Sequence, residues 1–321
     1  MPKKPSKELI KQMYKTLCTI RRFEEEGVRL YRQGFIRGYY HPYWGEEAIA
    51  VGVCSALGDK DYLASTHRGH GHCIAWGAPV DRMFAELLGK KTGFCRGLGG
   101  SMHIADVTKG NLGANGIVGS GVPIAVGAAM GAKIRKEKRV ATVFVSDGGT
   151  NIGSFSEGLN LAAAFKLPVL FVIENNQYAV STPIEDSTGE PMLYKRGLGY
   201  GVGGERVDGN NVMEVYLAAQ KAVENIRNGQ GPYIIEGLTF RQSGHHVNDP
   251  GAYMPKEKLD HYLANDPIKI CKNYMLDNDI NEQEIAAIES EVETTIKKGI
   301  DFAKQSEEMT PSEFLKFVEE Y

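Results

Sequence analysis

The sequence predicts an α/β fold: a doubly wound, mostly parallel sheet with helices on both faces. The stretch VATVFVSDGGTNIGSFSEGLNLAAAFKLPVLFVIENNQY, residues 140–178, contains two apolar runs, 140–146 and 168–173. Such runs are typical of strands buried on both faces. A helical pattern separates them, with Ser156 as its expected N-cap and an end before Pro168. This connection is long enough for a parallel crossover, so residues 140–178 predict one β-α-β unit.

The remaining segments extend this unit into a single domain spanning residues 1–321. Ser6 is the expected cap of an N-terminal helix at 6–31, whose charged run RRFEEE is assigned to the solvent face. The other expected elements are helices at 46–57, 122–134 and 212–227, strands at 61–65 and 233–236, and a helical tail at 255–321. The stretch 181–204, rich in glycine and proline, is predicted to be a functional loop or locally disordered.

The composition limits the possible classes of function. The chain has 321 residues, 42% of them hydrophobic, and a net charge of −3, as expected of an ordinary globular α/β protein. A basic stripe and an apolar run of membrane length are both absent, so we expect neither nucleic acid nor membrane as a partner. The five scattered cysteines lack metal-ligand spacing, and the N-terminus lacks the apolar core of a secretion signal. These features predict a cytoplasmic protein.

Oxygen ligands follow the two strands of the β-α-β unit. Asp147 comes directly after the first strand and Asn176 after the second, so both are expected in the ligand crevice at the carboxyl edge of the sheet. Together with a backbone carbonyl near Tyr178, they suit a Mg²⁺ ion that completes its octahedron with phosphate oxygens and water. Gly148 and Gly149 would let those phosphates approach the backbone. The alternative is that both polar residues merely form turns.

A second cluster of polar residues follows the strand at 61–65. The segment STHRGHGH contains His67, His70 and His72, which are interpreted as lying on a glycine-rich strand end rather than on a helix. Zinc is one alternative for these histidines, but Arg68 is a poor neighbour for a metal and a good one for diphosphate. The glycine-rich loops at 97–103 and 110–121 lack both the GxGxxG spacing and a P-loop, which argues against NAD and ATP.

Five motifs resemble a known family. They are GEEAIAVGV (45–53), STHRGHGHCIAWG (65–77), GGSMHIAD (99–106), LGANGIVG (112–119) and EGLNLAAAFKLPVLFVIENNQYA (157–179). They look like the E1 α subunit of thiamine-diphosphate-dependent 2-oxoacid and acetoin dehydrogenase complexes. The resemblance runs from about residue 13 to residue 249 and is closest to the acetoin branch, because His67-Arg68 stands where the pyruvate branch has Tyr-Arg.

This resemblance implies the thiamine-diphosphate-binding fold, two cofactors and a set of roles. The cofactors are thiamine diphosphate and Mg²⁺, and Gly116-Ile117-Val118 would hold the aminopyrimidine ring. His41 and His245 are implied as catalytic residues that bind substrate or handle the proton of the lipoyl sulfur, although His41 has a purely structural alternative. The implied cofactor-binding residues are His67, Arg68, Gly116, Val118, Asp147, Gly148, Gly149, Asn176, Tyr178 and His245, and the implied metal ligands are Asp147, Asn176 and Tyr178.

The implied reaction is cleavage of acetoin, or decarboxylation of a 2-oxoacid such as pyruvate, followed by acyl transfer to the lipoyl domain of an E2 acyltransferase. A pyruvate or branched-chain 2-oxoacid enzyme is the first alternative. A non-catalytic subunit is the second, because Ser146 replaces the family's usual glycine. The family's activating glutamate lies on a separate β subunit, so a heterotetramer of two α and two β subunits is expected. The Ala- and Gly-rich helix at 122–134 is predicted either to contact a subunit or to pack closely on the sheet.

Overall fold

The structure, a computed structural model, describes residues 4–320, so residues 1–3 and 321 of the predicted domain and tail lie outside the described residues. The strands are β1 (Tyr62–Ala64), β2 (Asn111–Gly113), β3 (Ala141–Ser146), β4 (Val169–Asn175), β5 (Tyr178–Ala179), β6 (Thr182–Pro183), β7 (Gly203–Asp208) and β8 (Tyr233–Leu238). Six of them form one parallel sheet in the order β2-β1-β3-β4-β8-β7, and β5 and β6 form an antiparallel pair. The predicted parallel pairing of the two central strands is therefore confirmed.

Helices cover the sheet and form the C-terminal region. They are α1 (Lys7–Arg32), α2 (Glu47–Cys54), α3 (His70–Ala75), α4 (Val80–Leu87), α5 (Gly121–Ile134), α6 (Gly153–Ala164), α7 (Ile184–Ser187), α8 (Val212–Arg227), α9 (Lys256–Ala264), α10 (Pro267–Asp277), α11 (Glu282–Gln305) and α12 (Pro311–Glu319). Ser6 caps α1 as predicted, by accepting from Leu9 N at 3.2 Å. The predicted cap of α6 is wrong, because that helix begins at Gly153 and Ser156 lies inside its first turn. No helix within residues 4–320 has the length and apolar composition needed to cross a bilayer.

The two faces of the sheet pack against different helices, which confirms the doubly wound arrangement. In β4, Val169, Phe171 and Ile173 belong to the core formed with α5 and α6. Leu170 and Val172, which alternate with them, belong to the core formed with α2 and α8. Because each of these side chains is fully buried, each stabilises the fold by roughly 1.5–3 kcal/mol relative to an exposed position.

Helix α1 and the C-terminal helices form a further apolar core beside the sheet. Helix α11 contributes a buried stripe that packs against α1 and α4. One prediction for α1 is wrong: within RRFEEE, Phe23 and Glu24 are fully buried rather than solvated. Glu24 is buried because it accepts a hydrogen bond from the Tyr40 hydroxyl at 2.7 Å and lies 2.9 Å from His70 Nδ1.

The stretch 181–204 has more structure than its composition predicted. It contains β6, α7 and a 3₁₀ segment, Leu193–Tyr200, before β7 begins. Ile184, Leu193 and Val202 are buried in the core that α5 and α6 share with the sheet. The alternative of local disorder is therefore wrong, because isolated apolar side chains among the glycines anchor the segment to the core. The alternative of a functional loop stays a prediction.

Helix α5 uses one of its faces for close packing. Val122 packs so tightly on α6 that a Cβ at Gly158 would lie 2.4 Å from its Cγ1 atom. On the outer side Ile124 and Ile134 are 43% and 73% exposed, and a Cβ at Gly127 would meet nothing within 4 Å. The packing alternative accounts for the inner face, and a subunit contact on the outer face stays a prediction.

Candidate active site

A cavity of about 290 Å³ opens where β1, β3, β4 and β8 end, the edge at which parallel sheets bind ligands. Most of the predicted site residues line it: His41, His67, Arg68, Gly116, Val118, Gly148, Asn176, Tyr178 and His245. Asp147 and Gly149 belong to the same turn as Gly148. A larger cleft of about 610 Å³ lies beside Trp76 and Lys109, but it is lined by none of these residues. The smaller cavity is therefore the candidate active site.

Asp147 offers a buried carboxylate oxygen with no partner among the described residues. It caps the 3₁₀ turn Gly148–Asn151, where its Oδ1 accepts from Gly148 N at 2.8 Å. Its Oδ2 is buried and has no hydrogen bond. Burial raises the pKa of Asp147 to about 6, although the Gly148 N–H and the charges of Arg241 and Arg68 oppose the rise. An unpaired buried carboxylate oxygen is costly, and a bound cation would supply the missing partner.

Asn176 lies in the tight turn after β4, and its amide nitrogen is fully engaged. The Nδ2 atom donates to both oxygens of Glu46, each at 3.2 Å. Its Oδ1 accepts only from Tyr178 N, at 3.3 Å, so the oxygen keeps capacity for a second interaction. Tyr178 itself is buried at the start of β5, where it pairs with Pro183. Asn176 and Tyr178 thus lie in the same wall of the cavity, as the predicted metal site requires.

Two guanidinium groups converge on the cavity. Arg68 is held by the Pro42 carbonyl at 2.5 Å and the His245 carbonyl at 3.1 Å, and its Nε lies 3.4 Å from Glu46. Arg241, which the sequence analysis did not single out, is 1% exposed and donates to the Val180 carbonyl at 2.8 Å. Burial and the neighbouring charge of Arg68 lower the pKa of Arg241, so an anion bound between the two would relieve their repulsion.

Three histidines meet beside these cations. The ring centroid of His41 lies 4.8 Å from that of His67 and 4.9 Å from that of His245. Burial, and secondly the charge of Arg68, lower the pKa of His41 to about 2 and those of His67 and His245 to about 3. All three rings are therefore neutral near pH 7. The Nδ1 atom of His41 is buried without a hydrogen-bond partner among the described residues, which makes the purely structural alternative for His41 less favourable.

The other two histidines of the STHRGHGH segment lie elsewhere. His70 and His72 are both fully buried on α3, so the interpretation that they lie on a strand end is wrong. His70 Nε2 is 3.0 Å from Ser101 Oγ, and His72 lies 2.8 Å from both Ser65 Oγ and Glu174 Oε1. Among residues 4–320, the histidines whose ring nitrogens come together are 41, 67 and 245. The zinc site considered at 67, 70 and 72 is therefore not formed.

A carboxylate from α4 orders the glycine-rich segment before the cavity wall. Glu86 is fully buried and accepts four backbone hydrogen bonds, from Cys95 N at 2.7 Å, Gly97 N at 2.9 Å, Gly99 N at 2.8 Å and Gly100 N at 3.1 Å. The segment ends close to Met102, which lines the cavity. The backbone N–H groups of this glycine-rich segment thus bind the carboxylate of Glu86. This explains why the segment is rich in glycine although it lacks the GxGxxG spacing of a dinucleotide site.

The turn after β3 is shaped by its small residues. A Cβ at Gly148 would lie 2.7 Å from that of Ala179, and one at Gly149 would lie 2.7 Å from Val145. Close packing therefore requires both glycines. The predicted approach of phosphate would be a second reason for glycine at these positions. Ser146 accepts from Gly149 N through its hydroxyl at 3.1 Å, so it tightens the turn and does not block it.

The rim next to this turn is apolar. Val118 and Ile117 are 42% and 72% exposed, and Gly116 lines the cavity beside them. Exposed apolar side chains beside backbone polar groups are suited to a flat heterocycle with polar edges. These positions agree with the predicted location of the aminopyrimidine ring, a role that stays a prediction.

Comparisons with known proteins agree with this geometry. The model of the dehydrogenase E1 component family matches residues 15–312. The α subunit of acetoin:2,6-dichlorophenolindophenol oxidoreductase from Bacillus subtilis (strain 168) is 46% identical over 304 residues, which is 94% of this chain and 91% of that protein. The subunit of the same name from Cupriavidus necator is 42% identical over 96% of this chain and 93% of its own length.

The pyruvate dehydrogenase E1 component α subunit of Porphyra purpurea is 39% identical over 95% of this chain and 91% of its own length. The matches thus cover nearly the whole chain, including every segment that lines the cavity. On this evidence the chain belongs to the dehydrogenase E1 component family.

Proposed function

We propose that this chain is the α subunit of a thiamine-diphosphate-dependent E1 enzyme that cleaves acetoin and passes the acetyl unit to a lipoyl-bearing E2 acyltransferase. The observation that carries the proposal is the unpaired oxygen of Asp147, in a turn beside Asn176 and near two guanidinium groups. A carboxylate, an amide oxygen and nearby cations are the groups that a Mg²⁺ diphosphate requires. The higher identity to the acetoin relatives than to the pyruvate relative favours acetoin.

In this proposal each group of side chains has a separate task. Asp147, Asn176 and the carbonyl of Tyr178 hold Mg²⁺, while His67, Arg68 and Arg241 bind the diphosphate. When bound, thiamine diphosphate supplies a carbanion that attacks the carbonyl carbon of the substrate. His41 and His245 are neutral near pH 7, so each can accept a hydrogen bond from the substrate at one ring nitrogen and donate one at the other.

The proposed assembly follows from the family to which the chain belongs. The related proteins are named as α subunits, and we propose a β-subunit partner that supplies the activating glutamate, in a heterotetramer of two α and two β chains. A single folded unit over the whole chain and a cytoplasmic location complete the proposal. The five free cysteines support that location, because oxidising compartments favour disulfides.

Pyruvate is the second candidate substrate, because the relative at 39% identity is a pyruvate dehydrogenase subunit. The non-catalytic alternative has little support from the structure, since Ser146 forms a hydrogen bond inside the turn and leaves the cavity open.

The test is a direct comparison of substrates. The chain is produced with its β subunit, and kcat/KM is measured for acetoin and pyruvate with an artificial electron acceptor. We expect acetoin to be the better substrate and the chain without β to be inactive. Asp147→Ala, assembled in the same way, is the control for background turnover. A higher kcat/KM for pyruvate overturns the acetoin assignment, and absence of turnover with both carbonyls favours the non-catalytic alternative.

A further inference from the structure

We propose that Glu46 is a positioning residue: it orients the amide of Asn176 so that the oxygen, and not the nitrogen, is offered to the metal. This inference rests on the proposed function, because it concerns the same Mg²⁺ site. Glu46 was expected only as the start of a helix, and the structure makes it the residue before α2, 1% exposed and lining the cavity.

The hydrogen bonds of the Asn176 amide carry the inference. An amide group has a donating nitrogen on one side and an accepting oxygen on the other, and the two are similar in size. An ionised carboxylate only accepts, and both Glu46 oxygens lie 3.2 Å from Asn176 Nδ2. Burial raises the pKa of Glu46 to about 8, although the charge of Arg68 opposes the rise, so the acceptor-only form predominates above that pH and the Mg²⁺ titrations are made at about pH 9. The reverse orientation would direct the amide oxygen at the carboxylate. Glu46 therefore excludes that orientation and leaves Oδ1 free for a further partner.

Glu46 also links Asn176, the proposed metal ligand, to Arg68, the cation proposed to bind the diphosphate. Its Oε1 lies 3.4 Å from Arg68 Nε, while the backbone carbonyls of Pro42 and His245 hold the other guanidinium nitrogens. The carboxylate thus lies between a residue that follows β1 and a residue that follows β4. Partners of this kind fix the orientation of metal ligands without touching the metal.

The test measures binding rather than turnover. The chain assembled with its β subunit is titrated calorimetrically with Mg²⁺ at saturating thiamine diphosphate. Glu46→Met keeps the volume but removes the acceptor, and we expect its half-saturating Mg²⁺ concentration to rise about tenfold, the lower end of the range for such partners. Glu46→Gln offers a donor as well as an acceptor at the same length and no longer excludes the reverse orientation, so its half-saturating Mg²⁺ concentration should also rise. Adding Glu46→Met to Asn176→Ala should cause little further loss, because the two act on one interaction.

Glu24→Met is the matched control. Glu24 is equally buried, but it contacts Tyr40 and His70 rather than the cavity. The control should lower stability and leave the Mg²⁺ requirement unchanged. If Glu46→Met does not fold, Glu46→Asp replaces it, since a shorter carboxylate withdraws the acceptor while keeping the charge, and it too should weaken Mg²⁺ binding.

The outcomes separate the two proposals. Wild-type protein that binds thiamine diphosphate without any need for Mg²⁺ overturns the proposed function. Normal Mg²⁺ dependence in the wild type with an unchanged half-saturation in Glu46→Met, or in Glu46→Asp where that replaces it, overturns only the role of Glu46. An unchanged half-saturation in Glu46→Gln also overturns it, because the reverse orientation would then be excluded without a group that only accepts.

Discussion

The segment 67–72 supplies two regions with opposite chemistry. In the cavity, His67 lies beside His41 and Arg68, and buried polar atoms such as Asp147 Oδ2 have no partner among the described residues. A few residues on, His70 and His72 are each held on both ring nitrogens by buried side chains, His70 by Glu24 and Ser101 and His72 by Ser65 and Glu174. We refer to His70 and His72, each with its two hydrogen-bonding partners, as the histidine networks.

These two regions show how a buried polar cluster that binds a ligand differs from one that stabilises the fold. A polar group whose hydrogen bonds are all made inside the chain stabilises the fold and has no capacity left for a ligand. A buried group without a partner costs stability, and such groups in or next to a cavity, as at His41 Nδ1 and Asp147 Oδ2, point to a binding role. On this criterion the cavity is the functional region, and the histidine networks support the scaffold that holds it.

The largest expected effect is on Asp147. Asp147→Ala should reduce Mg²⁺-dependent binding of thiamine diphosphate by about 100-fold or more, because a first ligand of the metal is lost. Cofactor at 100 times its dissociation constant should stabilise the wild-type complex by about 2.7 kcal/mol, and the variant should show no such shift in melting temperature. Asp186→Ala, an exposed carboxylate on α7, is the control. An equal shift in melting temperature in Asp147→Ala and the wild type would show that Asp147 is not part of the cofactor site.

A histidine-network variant should show the opposite pattern. His70→Ala should lower the free energy of unfolding by about 3 kcal/mol, because Glu24 would stay buried with Tyr40 as its remaining partner. The affinity for thiamine diphosphate should not change. Urea unfolding and calorimetry of the assembled complex measure the two quantities separately. Weakened cofactor binding at full stability would mean that the networks are part of the site.

The pH dependence of stability reports on His41, one of the histidines of the cavity. Because burial lowers the pKa of His41 to about 2, the folded chain binds fewer protons than the unfolded chain below pH 6.5, and stability falls as the pH falls. In His41→Gln, the slope of unfolding free energy against pH between pH 4 and 6 should decrease by about 1.4 kcal/mol per pH unit, the value for one proton. Urea titrations at several pH values test this.

The smallest effect concerns the segment that carries His245. Asp249 accepts from His245 N at 2.6 Å, Gly251 N at 2.9 Å and the Tyr253 hydroxyl at 2.7 Å, so one side chain orders residues 245–253. Asp249→Ala should raise amide hydrogen exchange around Gly244 by about tenfold, the effect of losing one or two such bonds. Bound Mg²⁺ and thiamine diphosphate should reverse part of this increase. Identical exchange in the variant and the wild type would show that other contacts order the segment.

Local patterns in the sequence predicted the sheet and much of the cavity. Asp147 and Asn176 were found because apolar runs mark buried strands and ligands follow the ends of parallel strands. Arg68 was found from the affinity of a guanidinium for diphosphate, and the family motifs added His41 and His245. The structure brings these residues to one edge of the sheet, as the predicted β-α-β unit requires.

Contacts between distant segments could not be predicted in this way. Glu24 appeared solvated because its partner His70 belongs to another helix, and α3 itself was missed because its glycines weaken the helical signal. Arg241 and Glu46 have no distinctive spacing, and their importance depends on neighbours that only the folded chain brings together. The stretch 181–204 was misjudged for the same reason, since its apolar residues become anchors only against the sheet.

The carboxylate of Glu86 has a consequence for the order of events at the cavity. Because it binds four backbone N–H groups of the segment 95–100, this wall is preorganised before any ligand arrives. The conformational entropy of that glycine-rich segment is lost during folding, so its ordering does not reduce the affinity for the cofactor. The side of the cavity that carries Met102 is therefore a fixed template against which a ligand can be aligned.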